Sequence, residues 1–162
     1  MRLRYNSVTL DQVVGGTLAT GTVPLLRTMR TLVRNANGGI ITVLAADTTV
    51  VLLSAANVVS GDIIHVTGMA RLVKGGVAGA IHLHVVQVAG TASILWGFYG
   101  SELGIEIPSL GAGANIHLPV SGYAEVDSSG TCQLALVATS AGSNASVAIG
   151  EGQFSAMVLI GA

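Results

Sequence analysis

Basic residues end at Lys74, and none follows through residue 162. Charge of either sign is scarce: Lys and Arg number 7 and Asp and Glu 8, so 9% of the chain is charged, against about 25% in an ordinary soluble domain. A 16.3 kDa monomer exposes roughly 7,500 Å² by area scaling, about one charge per 500 Å². Ala, Val, Gly, Ser and Thr must then fill much of the surface, and contiguous apolar surface marks contact between proteins. Burial between subunits is the expectation. Cysteine is nearly absent as well; Cys132 stands alone, which excludes an intrachain disulfide and leaves stability to packing and association. Long apolar runs are missing, since Asp47 divides residues 40–46 from 50–56 and both fall far below the ~20 residues of a membrane-crossing helix. Residues 5–12 are polar and mixed, without the apolar core of a secretory signal. Neither a membrane partner nor Sec export is expected.

The charges present are unevenly placed. Residues 1–34 hold five arginines and one acid, Asp11, whereas residues 35–162 hold Arg71, Lys74 and seven acids. A basic arm over residues 1–37 and a mildly acidic body over 38–162 are expected, with the arm able to clasp a neighbouring subunit. Within the arm, Leu25, Leu26, Met29, Leu32 and Val33 follow the spacing of an apolar helical stripe, and Pro24 suits a first helical turn. This predicts one short helix over 24–34, with Arg27, Arg30 and Arg34 off its stripe. The same residues also alternate, so a strand competes.

From Gly38 the texture becomes short runs rich in Val, Ile and Thr, separated by Gly, Ser, Asn and Asp, the pattern of an all-β sandwich or barrel. Strands are expected at 40–45, 49–53, 62–73, 80–88, 93–99, 104–107, 115–118, 122–126, 131–139, 146–149 and 153–160. In the third of these, residues 64, 66, 70 and 72 share one face and His65, Thr67 and Arg71 the other, as in a strand buried on one side. Residues 49–53 are apolar on both faces, which suggests a second cover. Asp127-Ser128-Ser129-Gly130 and Ala141-Gly142-Ser143-Asn144 carry the Gly and Asn that tight turns require, so the last four strands read as a meander.

With an extended arm, many short strands and the terminal segments Gly122-Tyr123-Ala124-Glu125-Val126 and Gly150-Glu151-Gly152-Gln153-Phe154-Ser155-Ala156-Met157-Val158-Leu159, the chain resembles phage virion jelly-rolls. The likeness is to the trimeric, tumour-necrosis-factor-like capsid decoration proteins. That resemblance implies a jelly-roll β-sandwich with an N-terminal arm, three copies packed about a threefold axis, and attachment to the outside of an assembled capsid after synthesis in the host cytoplasm. The implied partners are the chain itself, as a homotrimer, and the major capsid protein or another virion protein. Phage tail and receptor-binding head domains share the same texture and form the alternative within this class.

The sharpest chemical pattern is His82-Leu83-His84, because residues two apart on a strand point the same way and bring two imidazoles together. Gly76 followed after five residues by His82-x-His84 resembles the opening of the first metal-binding motif of the cupins. That family's glutamate is missing, since no carboxylate follows before Glu102. Its second motif is also incomplete: Gly113 and Pro119 fit, but Gly122 falls one place late and no histidine follows. His65 and His117 remain as ligands from other strands, and a cupin-like metalloprotein is the alternative from a different class. The chain lacks Gly-x-Ser-x-Gly, and Cys132 has no local base. Glu102 and Glu106 follow Trp96, Phe98 and Tyr99, a spacing that an edge strand and loop explain as well as a sugar site. Arg27, Arg30 and Arg34 lack the interleaved aromatics of a nucleic-acid surface and point to an acidic protein surface instead. The reading is a structural virion protein and not an enzyme, with no cofactor, no nucleic acid and no membrane. Its interface candidates are Arg27, Arg30, Arg34, Trp96, Phe98 and Tyr99.

Overall fold

The computed structural model describes residues 29–96 and 103–159. Among them no helix forms. In chain order the strands are β1 (Met29–Ala36), β2 (Ile41–Val43), β3 (Thr48–Leu52), β4 (Ala56–Val58), β5 (Ile63–Lys74), β6 (Gly79–Gly90), β7 (Ser93–Trp96), β8 (Leu103–Leu110), β9 (Asn115–Ser128), β10 (Gly130–Ser140), β11 (Ala145–Val147) and β12 (Gly152–Leu159). Every pairing is antiparallel. The first strands pair the last, β1 with β12 and β2 with β11; inward from there β3 and β4 pair β10, β5 pairs β9, and β6 pairs β8. That is one long hairpin folded over on itself, a jelly-roll. Folding over joins β12 and β11 to β5 and joins β10 to β6. Sheet A then holds β1, β2, β5, β7, β9, β11 and β12, and sheet B holds β3, β4, β6, β8 and β10.

The strands alternate because one face of each sheet supplies the core. On β5, Ile64, Val66, Ala70 and Leu72 are buried, while His65, Thr67 and Met69 face out. Facing strands contribute Phe154, Ala156 and Val158 from β12, Ile81, Leu83 and Val85 from β6, and Leu134 and Leu136 from β10. Gly68 lets the other sheet approach β5 closely: a Cβ there would lie 2.9 Å from Leu136 Cδ1 of β10 and 3.4 Å from the Phe154 ring.

Several sequence expectations change, each for a local reason. The helix expected over 24–34 is not formed at its described end, because Met29–Ala36 is a strand whose backbone groups pair with β12. Alternation, the competing pattern, is the one realised, and sheet A therefore begins nine residues before Gly38; residues 24–28 lie outside the described set. The strands expected at 115–118 and 122–126 are one strand, β9, running through Pro119. Arg71 N donates to Glu151 O on the β12 side, and Met69, two residues away, has the same orientation. The Met69–Pro119 pair is then of the kind whose members do not bond each other. β7 reaches only Ala124 and beyond, so at Pro119 β9 is an edge strand and the missing N–H leaves no partner unmet. The two-faced apolar character of 49–53 also has an internal cause. A register shift opposite Leu136 and Val137 leaves Val50 unpaired, and the bulge turns both Val50 and Val51 inward, leaving Leu52 to face out.

Lys74 closes one end of the sandwich. Its side chain is buried, and Nζ donates to Ser140 Oγ at 2.7 Å, to Ser143 O at 2.8 Å and to Ala141 O. Three acceptors match the three hydrogens of an ammonium, so the end of β5 is tied to the end of β10 and to the turn after it. Burial draws the Lys74 pKa below its ordinary value.

Two stability measurements follow. Gly68→Val forces Leu136 or Phe154 aside and lowers unfolding free energy by about 2 kcal/mol, read from urea titration. Lys74→Met leaves carbonyls unmet and costs about 1–3 kcal/mol at neutral pH. With its folded pKa lowered, the wild-type lysine binds its proton less tightly folded than unfolded. Wild-type stability relative to the methionine variant therefore rises as pH climbs from below the folded value toward 10.5, and the deficit widens in paired alkaline melts.

Candidate assembly surfaces

His82 and His84 project from the outer face of sheet B, since the residues between and beside them, Ile81, Leu83 and Val85, fill the core. The two imidazoles stack, ring centres 4.4 Å apart and planes 17° from parallel. Gly104, opposite His84 on β8, makes room for the stack: a Cβ there would lie 2.7 Å from His82 Nε2 and 2.7 Å from His84 Cβ. Glu106 is the cross-strand neighbour of His82, and the Asp47 carboxylate lies 3.6 Å from His84 Nε2. Stacking sets the in-plane nitrogen lone pairs side by side and does not aim them at a common point. Among the described residues no group of three or more His, Cys, Asp and Glu side chains is placed to hold a metal ion. His65 and His117 cannot complete such a group with this pair. They lie on β5 and β9, on the outer face of sheet A, a full sandwich thickness of about 10 Å or more away.

The aromatic cluster is only partly described. Trp96, on β7, is half-buried and packs against the core from the sandwich margin, so it serves packing more than exposure; Phe98, Tyr99 and Glu102 lie outside the described residues. Of the arginines, Arg30 and Arg34 stand on β1 at the margin of sheet A, and Arg27 lies outside the described residues. Cys132 is buried on β10, and burial pushes its thiol pKa up to about 11.

Sequence reasoning did not single out the outer face of sheet A, which register assembles from three long strands. Ile63, His65, Thr67, Met69, Arg71 and Val73 of β5 lie opposite Glu125, Tyr123, Ser121, Pro119, His117 and Asn115 of β9. On the other side, β5 lies against Gln153, Ser155, Met157 and Leu159 of β12. Full charges on these positions are two, Arg71 and Glu125, and Arg71 is drawn aside into a salt bridge with Glu151. Thr67 and Ser155 share a hydrogen bond of 2.7 Å at the centre, beside a shallow groove lined by Thr67, Gly68, Met69, Gln153, Phe154 and Ser155. Tyr123, Met69 and Leu95 are exposed on or beside this face. The signal was in the alternation: the polar-face residues of 63–73 and of 153–159 are uncharged apart from Arg71, but only pairing puts them side by side.

No family model matches the chain, and no curated protein is similar to it. Among solved structures it is similar to a chain in the structure of the Gx strain of infectious bursal disease virus, 17% identical, with a TM-score of 0.42 and 88% of this chain and 36% of that chain covered. It is also similar to a chain in the crystal structure of the VP2 subviral particle of the same virus, 16% identical, with a TM-score of 0.26 and 83% and 42% covered. The chain thus spans well under half the length of either.

A thiol whose pKa is near 11 and which is buried stays protonated and shielded at pH 8. Iodoacetamide is expected to leave Cys132 unmodified in the native protein and to alkylate it fully in denaturant, as read by intact mass.

Proposed function

We propose that this chain is a structural virion protein that associates with its own copies as a homotrimer and binds the outside of an assembled capsid, which it stabilises by adding buried interface. The observation that carries the reading is the outer face of sheet A. Three neighbouring strands at ~4.8 Å spacing, each contributing roughly 20–25 Å of length, and their flanking strands make a plate of some 500–600 Å². That approaches the ~800 Å² per partner of a standard stable interface. Where the three central strands of that plate, β5, β9 and β12, pair, the one outward charge outside an internal salt bridge among the described residues is Glu125, and that part meets another protein at little desolvation cost. The jelly-roll strand order supports the resemblance to trimeric decoration proteins, in which such sandwiches pack about a threefold axis. Stabilisation then needs no chemistry: a ligand that binds only the assembled capsid shifts its assembly equilibrium by mass action.

The test places a charge at the centre of the plate. Thr67→Arg should leave the melting transition of the domain within a few degrees of wild type while lowering the association constant by at least about a hundredfold, read by sedimentation velocity. Wild-type protein added to preassembled capsids should co-sediment and raise their disruption temperature, and the variant should do neither. A wild-type chain that remains monomeric at high micromolar concentration would sink the proposal.

A further inference from the structure

Contact through the plate leaves both ends of the sandwich outside it, and one end is unlike an ordinary set of turns. Four loops of four residues each close that end: 44–47 between β2 and β3, 75–78 between β5 and β6, 111–114 between β8 and β9, and 141–144 between β10 and β11. Backbone hydrogen bonds join them in a row. Gly113 N donates to Gly75 O at 2.9 Å, Gly75 N to Asn144 O at 2.9 Å, and Ser140 N, at the foot of the last loop, to Leu44 O at 2.7 Å. Exposed turns ordinarily carry polar side chains. Here Leu44 is 47% and Val77 57% exposed, Ala45, Ala46, Ala112 and Ala141 are exposed beside them, and Asp47 is the only formal charge in the four loops. The opposite end, among the described residues, turns through Ser60, Asp62, Thr91 and Ser129.

The loops are also fixed in place. The Lys74 ammonium donates to Ser143 O and Ala141 O from beneath, Ser143 Oγ accepts from Val77 N and donates to Val77 O, and Thr48 Oγ1 accepts from Leu44 N and donates to Ala46 O. A surface ordered before contact loses little entropy on binding. We infer that this loop end is the surface that meets the capsid, against an apolar patch of a capsid protein. This rests on the function proposed above, in which the plate joins the copies to one another, and adds which second surface attaches them. A cyclic assembly repeats the end on every copy at one height, so a small patch gains by simultaneous engagement. A second copy's end is a poorer occupant: two such ends bring together two acids, Asp47 of each, and no exposed lysine or arginine, since Lys74 is buried. A lipid surface fits no better, because the four loops hold none of the basic or aromatic side chains that keep a protein at a bilayer interface.

Charge placed on the loop tips tests this in the full-length protein. Leu44→Glu with Val77→Glu should leave the melting transition within a few degrees of wild type and the subunit number by sedimentation velocity unchanged, while lowering affinity for preassembled capsids at least about tenfold in co-sedimentation. Val59→Glu, at the opposite end and 50% exposed in the wild type, should keep capsid affinity within about threefold. The assignment is overturned if the double variant binds capsids as the wild type does or if Val59→Glu weakens binding as much. It is overturned likewise if the double variant falls apart into monomers, which makes the end a contact between copies. Flotation of the wild type with mixed phosphatidylcholine and phosphatidylglycerol vesicles, lost in the double variant, gives the end to a membrane and overturns it too. In all these cases a wild type that assembles and binds capsids leaves the proposed function standing, whereas one that binds none removes both.

Discussion

The core closes over Gly68 of β5, where Leu136 of β10 and Phe154 of β12 both come so near that a Cβ would lie 2.9 Å and 3.4 Å from them. The core around it is aliphatic, and among the described residues Phe154 is its one fully buried phenyl ring. Each strand can satisfy such a core from only one face, so every outward side chain is fixed by which inward one packs. β5, at the centre of sheet A, shows the result. Its inward side chains are fully buried, and its outward ones, with their counterparts on β9 and β12, become a continuous plate.

The polar chemistry of the domain is spent on holding that arrangement. The Lys74 ammonium ties the ends of β5 and β10. Asn37, also buried, donates from Nδ2 to Gly39 O and Ala148 O and accepts from Gly152 N, pinning the turn after β1 to the start of β12. Asp62 caps its own turn by accepting from Val59 N, and Arg71 is paired with Glu151. Among the described residues that face outward where β5, β9 and β12 pair, Glu125 is the one charge left outside such a pair.

Legibility from the sequence varied with the range of the interaction involved. The alternation of 64–72 is readable because period 2 is a local property, and Gly142, which takes a positive φ, marks its turn for the same reason. The 24–34 segment reads both ways because Leu25, Met29 and Val33 fit the helical and the alternating period alike, and only pairing with β12 decides for a strand at Met29–Ala36. The two-faced apolar run at 49–53 looked like a strand awaiting a second cover; a bulge against β10, invisible in the sequence, turns Val50 inward. His82 and His84 were correctly placed on one face, yet whether their rings converge or stack depends on Gly104, twenty residues further along the chain.

By itself the sequence determined that the chain is all-β, that no intrachain disulfide holds it, and that it carries far less charge than an ordinary domain. All of these are properties of composition or of neighbours along the chain. Tertiary structure alone decided which strands pair, and so that Thr67, Ser155 and Ser121 lie in one row. Register joins residues as far apart as Met29 and Leu159, and it is set by the packing of the whole core, which no local pattern contains.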